Sequence, residues 1–220
     1  MVPSVVKHEI GKSFRFEISG FQKGEGSVQT VHVHPLDRAR KPCEKPGDKP
    51  AFLAMEGEKK TRKESWRARS DKTDTLIAEL ALSTNRKNRG TITYLANQSC
   101  TKHEKHYPIT IREDRDWKSC SFFIDVPKAG SSGGSSRETV REEYMWRRQL
   151  DGLGRCELFH KEAIRTYTAA GKPPNVSDKK TALGKFDRNH MFFLKDFDQK
   201  DFGREFVQVA CLALAAILKS

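Results

Sequence analysis

The sequence has no Cys-x-x-Cys pair, no apolar run long enough to cross a bilayer and no nucleotide-binding or hydrolase motif. Its five cysteines, Cys43, Cys100, Cys120, Cys156 and Cys211, are scattered and odd in number. That argues against a zinc ribbon and against the disulfide framework of a small secreted protein. The N-terminal stretch MVPSVVKHEIGKSFRF lacks the apolar core and cleavage site of a signal peptide, so an intracellular chain with reduced thiols is expected. The sequons Asn97-Gln98-Ser99 and Asn175-Val176-Ser177 are then chance matches. There is no G-x-S-x-G elbow, and no cysteine lies beside a histidine that could activate it. Residues 20–26, GFQKGEG, lack the G-K-[ST] ending of a P-loop and read as a hairpin turn. No enzymatic residues can therefore be named, and a non-enzymatic role is expected, with an enzyme of unrecognised site as one alternative.

Hydrophobic residues are also scarce, at 36%, while charged residues reach 32%. A disordered chain of such composition would have few aromatics, yet this one has 13 Phe, 3 Trp and 4 Tyr. In 220 residues that describes one folded domain with long charged loops. The formal charge is +12, which favours anionic lipid head groups, nucleic acid or acidic partners.

Apolar residues mostly alternate with polar ones. Phe14, Phe16 and Ile18 share one face of a period-2 segment, as do Val31 and Val33, then Leu76, Ala78, Leu80 and Leu82. Ile92 with Tyr94, Ile109 with Ile111, and Cys120, Phe122, Ile124 and Val126 follow. Tyr144 with Trp146, Cys156 with Leu158, and the run MFFLKDF complete the series. About a dozen short strands with turn residues between them suit an antiparallel sandwich or barrel. Residues 35–50, with four prolines, residues 129–136 (AGSSGGSS) and residues 171–180 read as surface loops within one domain.

Residues 206–218, FVQVACLALAAIL, break the alternation. Alanine and leucine favour a helix, and the run is short of the roughly 20 residues a membrane span needs. A helix that is apolar on every face must be buried on every face. One such helix among half-apolar strands predicts a mainly β fold, a closed antiparallel barrel over about 14–200 with helix 204–219 in its lumen.

That arrangement resembles the tubby-like superfamily, which includes tubby proteins, LURP-one-related proteins and phospholipid scramblases. The residues behind the resemblance are FFLKDFDQKDFGREFVQVACLALAAILKS, TLIAELAL with GTITYLA, SFFIDV and EYMWRRQL. It implies recognition of phosphoinositide-like lipid head groups. The scramblase-like acidic stretch before the last helix implies calcium, with Asp196, Asp198 and Asp201 as candidates. Acidic residues there also stabilise a helix dipole without any ion, and no cofactor or metal is otherwise expected.

For the head groups the candidate ligands are basic. Lys60, Arg62 and Lys63 precede Trp66, and Arg67 and Arg69 should face outward while Trp66 and Ala68 face the core. Two guanidiniums about 7 Å apart can grip phosphate. Arg141, Arg147 and Arg148 offer a second basic site near Trp146. A solvated charged face would look the same. The rival partner is nucleic acid, although no RNA-reading motif is visible. The expected place is the cytoplasm, the inner membrane surface or the nucleus. His32 and His34 share a strand face and could ligate a metal only with further ligands; His103 and His106 lack the spacing of H-E-x-x-H.

Overall fold

The computed structural model describes residues 10–19, 28–36, 53–60, 63–70, 72–83, 88–95, 104–127, 139–150, 154–161, 182–194 and 203–218. The side chains of 10–12, 59, 60, 127 and 194 fall outside that description. The strands are β1 (Ile10–Ser19), β2 (Val28–Leu36), β3 (Leu53–Lys60), β4 (Lys63–Arg69), β5 (Leu76–Ser83) and β6 (Arg89–Leu95). They continue with β7 (Glu104–Glu113), β8 (Trp117–Pro127), β9 (Thr139–Gln149), β10 (Cys156–His160), β11 (Ala182–Asp187) and β12 (His190–Leu194). Helix α1 is Arg204–Leu218, and Lys219, the last residue expected in it, lies outside the described residues.

Each strand pairs antiparallel with its sequence neighbour, and β12 closes on β1. This is the closed barrel that the alternation and the apolar helix predict. The inward stripes are those read from period 2: Phe14 and Phe16, Val31 and Val33, Ile109 and Ile111, and Cys120 to Val126 are all buried. Every residue of α1 from Phe206 to Ile217 is buried too, Gln208 included. The helix lies mainly against β8, with β4 and β9 beside it. Ala210, Ala213, Ala215 and Ala216 keep the helix slender inside a barrel that also buries Trp66 and Trp146, and the Trp146 indole donates to the Ala210 carbonyl at 2.9 Å. Opposite Trp66, β3 carries Gly57, and a Cβ built there would lie 2.7 Å from the indole. Only glycine leaves that space.

Two details depart from the simple pattern. Leu76 is only half-buried, because the β4–β5 register shifts between Ala68↔Ala78 and Arg69↔Leu76. The bulge removes Leu76 from the stripe and lets Ile77 pack against the core instead. Pro35, expected in a loop, belongs to β2 opposite Phe14. The β2–β3 ladder ends at Val33↔Leu53, so the amide that Pro35 lacks has no β3 partner to lose. The remaining loop expectations, 37–50, 129–136 and 171–180, lie outside the described residues.

An up-and-down barrel sends alternate connections to opposite ends. The N-terminus of α1, Lys105, Arg141 and His160 mark one end, where β2, β4, β6, β8 and β10 finish. The other end holds the C-terminus of α1 and the described turns at 114–116 and 188–189. No described helix is long and apolar enough to cross a membrane.

Candidate functional site

Helix α1, buried from Phe206 to Ile217, occupies the lumen. The binding surface must be sought on the outer face or at the barrel ends. On β4, period-2 geometry drives Trp66 and Ala68 inward to full burial and turns Arg67 and Arg69 outward. Arg67 Nε stands 3.3 Å from Glu79 of β5, with the two side chains 59% and 47% exposed. Arg69 Nη1 lies 3.5 Å from the Asp74 carboxylate and donates to the Asp74 carbonyl at 3.1 Å. Both ion pairs are open to solvent. Their separations exceed the 2.7–2.9 Å of a tight charge-assisted bond. Exposed pairs of this kind are worth only about 0–1 kcal/mol. Lys63 is exposed at the start of the same strand, with Glu64 beyond it bonded to the Trp66 indole at 2.8 Å. Arg62, the Lys60 side chain, Asp196, Asp198 and Asp201 lie outside the described residues.

The second basic cluster is not one site. Arg141 points outward and is held by Asp125, Nε at 2.9 Å and Nη2 at 3.3 Å. That hydrogen bond raises its pKa, and its guanidinium also stands 5.5 Å from the Tyr107 ring centre. Arg147 also faces outward, over the Trp117 ring at 4.8 Å. Burial lowers its pKa, opposed by the charges of Glu157 and Asp114. Arg148, one residue on, faces inward with Trp146. Its Nη1 donates to the carbonyls of Ile217 at 2.9 Å and Leu218 at 3.2 Å, the last of α1. The expectation that Arg147 and Arg148 form a joint basic site therefore needs correction: strand alternation puts them on opposite sides, and Arg148 caps a helix. Arg141 belongs to the other end of the barrel.

That other end holds a polar group that sequence pattern did not single out. Glu205, in the first turn of α1, accepts from Lys105 Nζ at 2.9 and 3.1 Å and from the Tyr107 hydroxyl. Tyr94 donates to Gln208 at 2.8 Å. Nearby, Tyr144 donates to Glu142 at 2.6 Å, and His160 Nε2 is 3.3 Å from the same carboxylate. Burial and then the charge of Glu205 push the Tyr94 pKa up to about 12. Burial, followed by the hydrogen bond to Glu205, raises that of Tyr107 as well. These phenols are held neutral as donors, so they serve as struts for the helix rather than as bases. The signal in the sequence was the acidic residue at the helix start; its partners come from strands about a hundred residues away.

Among the described residues no group of three or more His, Cys, Asp or Glu side chains is arranged to hold a metal ion. His32 and His34 stack outward on β2, with ring centres 6.3 Å apart. His106 is exposed, its Nδ1 3.3 Å from Thr93 Oγ1, and His103 lies outside the described residues. No family model, no curated protein and no solved structure matches the chain.

Proposed function

We propose that this protein is a non-enzymatic binding module for anionic phospholipid head groups, acting through the outer face of β4 and its neighbours. The observation that supports this reading is the plugged lumen. With the barrel interior filled by α1, ligand recognition falls to the exterior, where Arg67 and Arg69 project from one strand into solvent. A phosphate can replace Glu79 or Asp74 at small cost, since the pairs it would displace are exposed and loose. Planar guanidinium, weakly hydrated, suits this exchange better than ammonium does. A distant relationship to the tubby-like superfamily belongs to the same proposal.

Vesicle flotation tests it. Replacing Arg67 and Arg69 by glutamate should weaken binding to phosphatidylglycerol or phosphoinositide vesicles tenfold or more, at roughly 1 kcal/mol per charge near an anionic surface. The melting temperature should stay within a degree or two, because exposed charges add little stability. Absence of flotation by the unaltered protein, with a salt-sensitive shift of RNA in its place, would transfer the function to nucleic acid.

A further inference from the structure

Across β3 from β4, the outer face of β12, β1 and β2 gathers three of the chain's seven histidines around one arginine. Antiparallel register sets Arg15 of β1 between His34 of β2 and His190 of β12. One rung further along, Glu17 of β1 sits opposite His32. Neighbouring strands are about 4.8 Å apart, so these side chains form one patch. Phe14, Phe16, Val31, Val33 and Met191 are buried, which turns Arg15, His32, His34 and His190 outward. On the next strand the position paired with His32 is Ala54, whose other partner is Arg69. The histidine patch therefore runs into the β4 face without a bulky side chain between them.

Among the described side chains, the charges around this patch nearly cancel when the imidazoles are neutral, with Lys185 of β11 paired to Glu157 at 3.0 Å. Glu17 Oε2 is 3.4 Å from His34 Nε2 and offsets Arg15. Arg188 and Asp187, in the turn beside His190, offset one another, and on the far side Glu56 stands opposite Arg67. Imidazole is the side chain whose charge ordinarily changes between about pH 5 and 8. Three protons taken up here would convert a balanced face into a cationic one. The stacked rings of His32 and His34 would then repel each other, and a bound anion would relieve that repulsion. Proton uptake and anion binding must strengthen one another, because linkage is reciprocal.

We infer that this face makes membrane binding proton-gated: protonation of His32, His34 and His190 around Arg15 extends the Arg67–Arg69 surface into a continuous site for an anionic bilayer. The inference rests on the lipid reading above and adds its regulation. The partner is a lipid surface rather than a soluble phosphate, because the patch spreads across three neighbouring strands of the barrel's outer face.

Flotation on phosphatidylglycerol vesicles tests it, since the phosphodiester keeps its charge across the range in which imidazole ordinarily changes its own. At roughly fivefold per added charge, affinity should rise at least tenfold between about pH 7.5 and pH 5.5. The triple variant H32Q/H34Q/H190Q should bind like the unaltered protein at the higher pH and lose the rise. A direct measurement on the unaltered protein near pH 6.5 should show protons taken up when vesicles are added. That second readout holds even if the triple variant fails to fold. Binding that is equal at both pH values, or a rise that survives in the triple variant, overturns the gating and leaves the lipid reading standing. Absence of flotation at either pH overturns both. An acid-enhanced interaction with poly(U) and none with vesicles overturns the choice of partner.

Discussion

Arg148 separates the roles of the two kinds of arginine in this protein. Replacing it with methionine keeps most of the apolar stem and removes the guanidinium from the C-terminus of α1. The carbonyls of Ile217 and Leu218 would lose their donor inside the barrel end. Hydrogen bonds to a charged group contribute about 1.5–3 kcal/mol. The favourable placement of a cation at a helix C-terminus adds about 0.3–1 kcal/mol. The expected loss is about 2–4 kcal/mol. In a domain of this size, 1 kcal/mol moves the melting temperature by about 2–4 °C, so a fall of roughly 5–15 °C should follow. Calorimetry or a urea titration followed by circular dichroism measures it. Arg148→Lys should fall between, because ammonium retains the charge but lacks the planar fork. Vesicle binding by the still-folded Arg148→Met protein should be unchanged. A stability change below about 0.5 kcal/mol, within the scatter of an ordinary surface substitution, would refute the capping role. So would a loss of lipid binding with the melting temperature intact.

The cysteines test burial from another direction. Burial pushes the Cys156 thiol up to about 12 and raises Cys120 and Cys211 also, so at about pH 8 a thiol reagent should modify these three only at the rate of global unfolding. Fast labelling of Cys211 in the folded protein would contradict a helix sealed in the lumen. Tyr94 and Tyr107 predict the alkaline limb of the stability curve. Their pKa values are raised on folding, so their stabilisation is complete below about pH 10 and is lost as pH rises toward the folded value. Melting temperature should therefore fall with increasing pH above about 10, and less steeply in Tyr94→Phe; identical slopes in the two proteins would remove Tyr94 from that account.

The barrel was readable from the sequence because its two signals are local. Period 2 in Cys120, Phe122, Ile124 and Val126 marks a half-buried strand wherever it occurs, and the unbroken apolar run of α1 leaves burial on all sides as its only solution. Leu76 escaped the pattern because a one-residue bulge depends on the partner strand, not on the stripe itself. Arg148 was misplaced for a different reason. Tyr144 and Trp146 already mark the inward stripe of their strand, and period 2 carries that stripe on to Arg148, but an arginine so placed looks like surface until the helix carbonyls it meets are known. The patch of Arg15, His34 and His190 was invisible because it exists only where β12 closes on β1, joining residues from opposite ends of the chain. The acid at position 205 could be read as a helix-dipole partner, but Lys105 and Tyr107 could not be assigned to it without the barrel.

The two ends of α1 explain why the helix takes one direction in the lumen. Apolar burial alone would hold it nearly as well upside down, since the hydrophobic effect has no direction. The hydrogen bonds do. Glu205 at the N-terminus accepts from Lys105 and Tyr107, while Arg148 donates to the carbonyls at the C-terminus. Both ends of the lumen offer a cation, so charge alone would accept either direction, but reversing the helix would part Tyr107 from Glu205, Tyr94 from Gln208 and the Trp146 indole from the Ala210 carbonyl. Gln208 and the Trp146 indole, which donates to the Ala210 carbonyl at 2.9 Å, set the depth of insertion between those ends. Glu205, Gln208, Trp146 and Arg148 are thus committed to holding the plug. That leaves recognition to outward residues such as Arg67 and Arg69, whose acidic partners are exposed and exchangeable.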